Sequence, residues 1–188
     1  MTLREILIER RAVLSERWLD AVLAEYGSQT AARWRRERDP FANPIGHVLG
    51  TSLPRLLEAV AGDGEPAPEA LAALEDVVRI RCVQDLTPSR AVRFVYLLRD
   101  VVRRELAAEL AGGAHGEELA AVDLRVERLA LTAFDVYARC RERIFQLRQE
   151  ELKRSVASLL RRWHGADLPG PNPDLVQLAR PADPGARR

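Results

Sequence analysis

The residues of this chain with the most scope for chemistry are three histidines, two cysteines and two adjacent carboxylate pairs. His47 alone falls in a helical pattern, just after Asn43-Pro44, whereas His115 sits in a glycine loop and His164 abuts a proline-rich tail. Haem iron needs a proximal ligand on a core helix, and the two central helical stretches, 68–84 and 88–111, hold no histidine. No His or Cys pair has the spacing of zinc ligands, so neither a metal nor another cofactor is expected. Cys82 and Cys140 both lie inside helical patterns and are expected as reduced, buried thiols. Glu117-Glu118 and Glu150-Glu151 fall on helical surface patterns and are expected as solvated faces. There is no Gly-x-Ser-x-Gly elbow, no Gly-x-Gly-x-x-Gly and no phosphate loop, so no enzyme is expected.

Charge excludes a further class of partner. The formal net charge is +1, without the basic excess that nucleic acid or an anionic membrane calls for. Trp34-Arg35-Arg36-Glu37-Arg38 is basic beside an aromatic, but Glu37 and Asp39 interrupt it. From Arg139 to Trp163 eight Arg or Lys face three Glu, the strongest local asymmetry, and a solvated helix or one facing an acidic partner accounts for it better than nucleic acid. Three polar stretches stand apart from ordinary surface. Arg79-Ile-Arg81-Cys-Val-Gln-Asp85 gathers charge at a helix end, Phe134-Asp135-Val-Tyr137 sets a carboxylate between aromatics, and Arg139-Cys-Arg141 follows.

The elements that carry these residues are helical. Of 188 residues 47% are hydrophobic and 30% charged, with runs rich in Ala, Glu, Leu and Arg that lose little side-chain freedom in a helix. The N-terminus meets charge at Arg4 and Glu5, which denies it the apolar core of a signal peptide. No run of about 18 apolar residues occurs, so no membrane insertion is expected and a cytoplasmic place is. A first helix starts at a Thr2–Glu5 capping box, carries Ile6, Val13, Leu14, Leu19 and Leu23, and stops at Gly27. A short helix from about Ser28 leads to the loop Pro40–Pro44. Asn43 and Pro44 cap and open a third helix to about Val60, which Pro54 kinks or divides. The fourth, roughly Pro68 to Gln84, shows Leu71, Leu74, Val78 and Cys82. The fifth, about 88 to 111 behind Thr87-Pro88, shows Val92, Val95, Leu98, Val102, Leu106 and Leu110.

The last pattern runs from Glu117 to about Trp163, about 70 Å if unbroken. A compact domain of this length has a radius of gyration of only about 16 Å, so the helix must bend, break or extend beyond it. Val126, Leu129, Ala133, Val136, Cys140, Ile144 and Leu147 keep a three–four step. Arg148-Gln-Glu-Glu151 interrupts it, and Leu152, Val156, Leu159, Leu160 and Trp163 resume in shifted phase. The expected organisation is an all-α domain over 1–147, a helical extension over 148–164 and a flexible Pro-rich tail over 165–188. The extension's apolar seam is the expected contact for a partner or for a homodimer.

Three segments in order, Asp39-Pro-Phe41-Ala-Asn43-Pro44-Ile-Gly46, Arg79 to Ser89 and Ala133 to Glu142, resemble the RsbRD N-terminal domain family. Its signature positions here are Phe41, Asn43, Pro44, Arg79, Arg81, Asp85, Asp135, Tyr137 and Arg141. The family is similar to the non-haem globin modules that open RsbR-type stressosome proteins. The resemblance, over about residues 3 to 155, implies a globin-like bundle of about six helices without haem, often dimeric. It implies a sensory or docking module in partner-switching control of sigma factors, with STAS-domain or other regulatory proteins as partners. In RsbR-type proteins a STAS domain follows, whereas here a helical extension and a tail follow, so a free-standing sensor is expected. The alternatives are a small-ligand or redox-cofactor carrier, with Phe94, Tyr96, Phe134 and Tyr137 around a pocket, or an accessory subunit of a larger complex.

Overall fold

A computed structural model of the chain describes residues 1–37, 39–84, 86–113 and 115–165, with side chains through Trp163. Among them are eight helices and no strand: α1 (Leu3–Glu9), α2 (Arg11–Ala24), α3 (Ser28–Arg36), α4 (Pro44–Ala61), α5 (Pro68–Val83), α6 (Pro88–Glu105), α7 (Ala107–Leu110) and α8 (Gly116–Gly165). The expected Pro-rich tail beyond α8 lies outside the described residues. The chain divides into two compact units, Met1–Glu142 and Arg143–Arg188.

The all-α class is as expected, but about six helices become eight for two reasons. The expected first helix is broken at Arg10, whose backbone leaves the helical basin at φ −89° and ψ 10°. Arg10 and Arg11 stand where the apolar stripe Leu3–Ile6–Leu7 would continue toward Leu14, and neither can enter the core unpaired. Arg10 turns outward instead, pairs with Glu109 and donates to the Glu105 carbonyl at 3.3 Å. The expected fifth helix is broken at Leu106, at φ −109° and ψ 21°, where the fully buried side chain holds the chain as it turns into α7.

Most starts follow local chemistry. The Thr2 hydroxyl accepts from the Glu5 amide at 3.2 Å while Glu5 accepts from the Thr2 amide at 2.9 Å, a closed capping box. Gly27, at φ +88°, takes the left-handed turn between α2 and α3 that a side chain would strain. Pro88 opens α6 at its first position, though the Thr87 hydroxyl makes no cap bond and lies 3.3 Å from Ser89 Oγ instead. Pro54 neither ends nor divides α4, which runs 18 residues through it. The carbonyl a proline leaves without a donor belongs to Gly50, which faces solvent, where water can bond it.

In the first unit α2 is central, touching α1, α3, α4 and α6, while α4 also packs on α5, and α5 on α6. The core is Leu- and Val-rich, with Leu14, Leu53, Leu74, Val95 and Leu98 at zero exposure, each worth about 1.5–3 kcal/mol of burial. The first part of α8 contributes Val122, Val126, Leu129, Ala133, Val136 and Tyr137. It is tied down by Arg125 Nε donating to the Val60 carbonyl at 2.6 Å and by an Arg103–Asp123 ion pair.

α8 comprises 50 residues. Within the second unit its large apolar side chains Phe145, Leu147, Leu152, Val156, Leu159, Leu160 and Trp163 are all exposed.

Candidate functional site

Two features stand out: a buried polar centre where α2, α5 and α6 meet, and the exposed seam of α8. The centre is built on Arg81, which is 1% exposed. Its Nε donates to the Ala91 carbonyl at 2.9 Å, and Nη2 donates to the Arg90 carbonyl at 2.7 Å and to Glu25 Oε2 at 2.6 Å. Nη1 donates to the Tyr26 hydroxyl at 3.0 Å, which in turn donates to Gln84 Oε1 at 2.8 Å. The guanidinium also lies 5.5 Å from the Tyr26 ring centre and 5.6 Å from that of Phe94. One planar fork thus ties the end of α2 to the end of α5 and the first turn of α6, a geometry a lysine cannot supply.

Around it, Trp18 is fully buried, donates from Nε1 to the Phe94 carbonyl at 2.7 Å and stacks on the Phe94 ring at 6.4 Å. Trp34 on α3 covers the Tyr26 ring at 4.9 Å. From α8, the Tyr137 hydroxyl donates to the Leu86 carbonyl at 2.6 Å, so the chain between α5 and α6 is held from a second side. Burial holds the Tyr26 phenol above its ordinary value, outweighing the pull of Arg81. Because the raised value belongs to the folded state, its contribution to stability is present below the ordinary tyrosine range and is lost as pH rises through the folded value. Ultraviolet titration of tyrosinate is expected to lose a late-ionising component in Tyr26→Phe.

A second polar cluster closes the start of α4. Asn43, 3% exposed, accepts from the Gly46 amide at 2.9 Å and donates from Nδ2 to the carbonyls of Trp34 at 2.6 Å and Glu37 at 3.0 Å. It caps α4 and satisfies the end of α3 together. A Cβ on Gly46 would stand 2.2 Å from Asn43 Nδ2, so the glycine is required by the cap. Asn43→Ala is expected to cost about 1–2 kcal/mol, read as a lower denaturant midpoint at unchanged slope.

The polar residues singled out from the sequence separate on these grounds. Arg81, Tyr137 and Asn43 are buried and hold helix ends, and Pro44 opens α4. Arg79 points outward and pairs with Glu75 and Asp76 of its own helix at 3.7 Å. Phe41 is 96% exposed in the Asp39 turn, and Asp135 is exposed. Arg141 is half-buried, and Asp85 lies outside the described residues. Glu25, Tyr26 and Trp18 stand outside those stretches, although Trp18 lies four residues from both Leu14 and Val22 and so shares their face.

The four aromatics expected around a ligand pocket do not face one interior. Phe94 and Tyr137 are buried, whereas Tyr96 and Phe134 are 37% and 48% exposed. A surface cleft of about 910 Å³ is lined by Thr2, Arg4, Glu5, Ile8, Asp63 and Glu118, and none of the four aromatics lines it. His47 is exposed on α4, and His115 lies 3.6 Å from Glu118. Among the described residues no three His, Cys, Asp or Glu are grouped to hold a metal ion, and no helix is long and apolar enough to cross a membrane. Cys82 is buried as expected, whereas Cys140 is only half-buried.

A profile of the RsbT co-antagonist protein rsbRD N-terminal domain matches residues 12–152, three quarters of the chain. The chain belongs to the RsbRD N-terminal domain family. Neither the curated proteins nor the solved structures provide a significant match. Both polar clusters of this RsbRD N-terminal domain fall inside the matched residues, whereas Val156, Leu159 and Trp163 of the α8 seam lie beyond them.

Proposed function

We propose that this chain is a non-catalytic regulatory module, a haem-less globin-like sensor, that works by protein contact made through the exposed end of α8. Its setting is partner-switching signalling in the bacterial stress response or sigma-factor control, in the cytoplasm. What covers the seam is a second copy of the chain or another regulatory protein, STAS-domain proteins being the class the family suggests. The observation that carries the reading is the concentration of Leu152, Val156, Leu159, Leu160 and Trp163 on one helix, all 45–65% exposed, in a chain of a regulatory family. Scattered apolar residues on a surface need no explanation, but a continuous row does. The charged cluster around Arg81 serves as a rigid joint for the sensor, with every polar group of the guanidinium engaged. By this proposal residues 1–147 form the sensor and 148–164 the contact helix.

The test compares the full chain with L152S/L159S as bait in the native host. Light scattering after size exclusion, alone and for a truncation after Leu147, reports self-association. Self-association or specific partners, lost in the variant, are expected. Identical partners with both baits and no change in mass would overturn the reading, and so would a Soret band in the freshly purified protein.

A further inference from the structure

We infer that the seam of α8 from Phe145 to Trp163 docks an amphipathic helix of another protein whose flanking residues are acidic. This rests on the reading that the chain works through contact at α8, and it names the chemistry of the partner.

Phe145, Gln149, Leu152, Val156, Leu159 and Trp163 follow one another by steps of four, three, four, three and four. That is the a/d order of a two-helix seam, in which each side chain enters a hole formed by four residues of a facing helix. The five apolar members are 46–65% exposed, so the seam is formed and open. The single polar member, Gln149, stands at an inner position, where a polar residue selects register by meeting a polar residue opposite.

Charge decides between occupants. Positions beside the seam, which face the partner's flanks, hold Gln146, Lys153 and Leu160 on one side and Arg148, Ser155 and Arg162 on the other. Three are cations and none is an acid. The carboxylates of the same stretch, Glu150 and Glu151, sit on the outer side, where Glu150 lies 3.7 Å from Arg154. A second copy would bring cation against cation in either orientation, Arg148 against Lys153 when parallel and like against like when antiparallel. A helix with Glu at those places converts each clash into an attraction, with both orientations open to it. An anionic membrane fits less well, since a lipid-bound helix carries a basic polar face, and here two glutamates interrupt that face.

The test uses the full chain and two labelled peptides of about three heptads. Both carry Leu and Val at the seam and Asn opposite Gln149, one flanked by Glu and the other by Lys. Fluorescence anisotropy is expected to show the Glu peptide binding at least about tenfold more tightly, from three pairs each switched from repulsion to attraction. The advantage should shrink at high salt, reverse in R148E/K153E/R162E, and vanish with all binding in L152S/L159S. All these positions are exposed, so circular dichroism should show both variants folded. Equal binding of the two peptides overturns the inference and leaves contact through α8 standing. A dimer that takes neither peptide and is abolished by L152S/L159S does the same. A monomer that binds neither peptide, or binds only phosphatidylserine vesicles, overturns both.

Discussion

Replacing Arg81 with methionine is expected to cost about 3–5 kcal/mol of folding stability, the usual penalty for removing one partner of a buried ion pair. Methionine fills much of the volume, so the loss is not a cavity effect. It comes from Glu25, 13% exposed, left with the more distant Arg93 at 3.5 Å, and from a Tyr26 hydroxyl that loses its donor. At about 2–4 °C per kcal/mol for a chain of this length, the midpoint of thermal unfolding should fall by roughly 6–20 °C. Arg81→Lys should recover only part of this, because an ammonium cannot reach Glu25 and the Arg90 and Ala91 carbonyls in one plane. The double variant E25Q/R81M should be more stable than R81M alone, since no uncompensated carboxylate remains. If R81M loses less than about 1 kcal/mol, the guanidinium is not the joint between α2, α5 and α6.

Trp18→Ala is expected to cost a similar amount, about 3–5 kcal/mol, for a different reason. The indole is the largest fully buried side chain of the core, and its removal leaves a void between α2 and α6 beside the Phe94 ring. Trp18→Phe separates the two parts of the effect. It retains most of the packing and loses the 2.7 Å bond to the Phe94 carbonyl, so a smaller loss of about 1–3 kcal/mol is expected. Equilibrium denaturation of the two variants measures the difference, and equal losses would place the whole contribution in the hydrogen bond. The stacked Phe94 ring also lies against Arg81, so Trp18 and Arg81 variants should not combine additively.

The starts of α1, α4 and α6 and the turn at Gly27 were legible because each depends on residues within one turn of the chain. Thr2 with Glu5, Asn43 with Pro44 and Gly46, and Pro88 act locally, and their chemistry is the same before and after folding. Less legible were the interruptions at Arg10 and Leu106, which contain neither proline nor glycine. The first answers to contacts about a hundred positions away, Arg10 with Glu105 and Glu109, and the second to the burial of Leu106 in the core. The buried face of α2 is centred away from Val13, which is 49% exposed, and on Trp18, which is buried. Hydrophobic spacing sets a face only to within a residue, and the neighbouring helices choose its centre.

The pair Arg79 and Arg81 shows where the division falls. Two residues apart on a helix, they lie about 200° apart around its axis, so spacing alone puts them on different faces. Which one is inside was decided by Glu25 and Tyr26, 56 and 55 positions earlier, and by two carbonyls that exist as a paired acceptor only once α6 forms. By contrast, the all-helical class, the capped starts and the shifted apolar seam at the end of α8 were present in residue type and spacing alone. A helix writes its faces into its own period, whereas the burial of a charge depends on partners that only tertiary folding brings together.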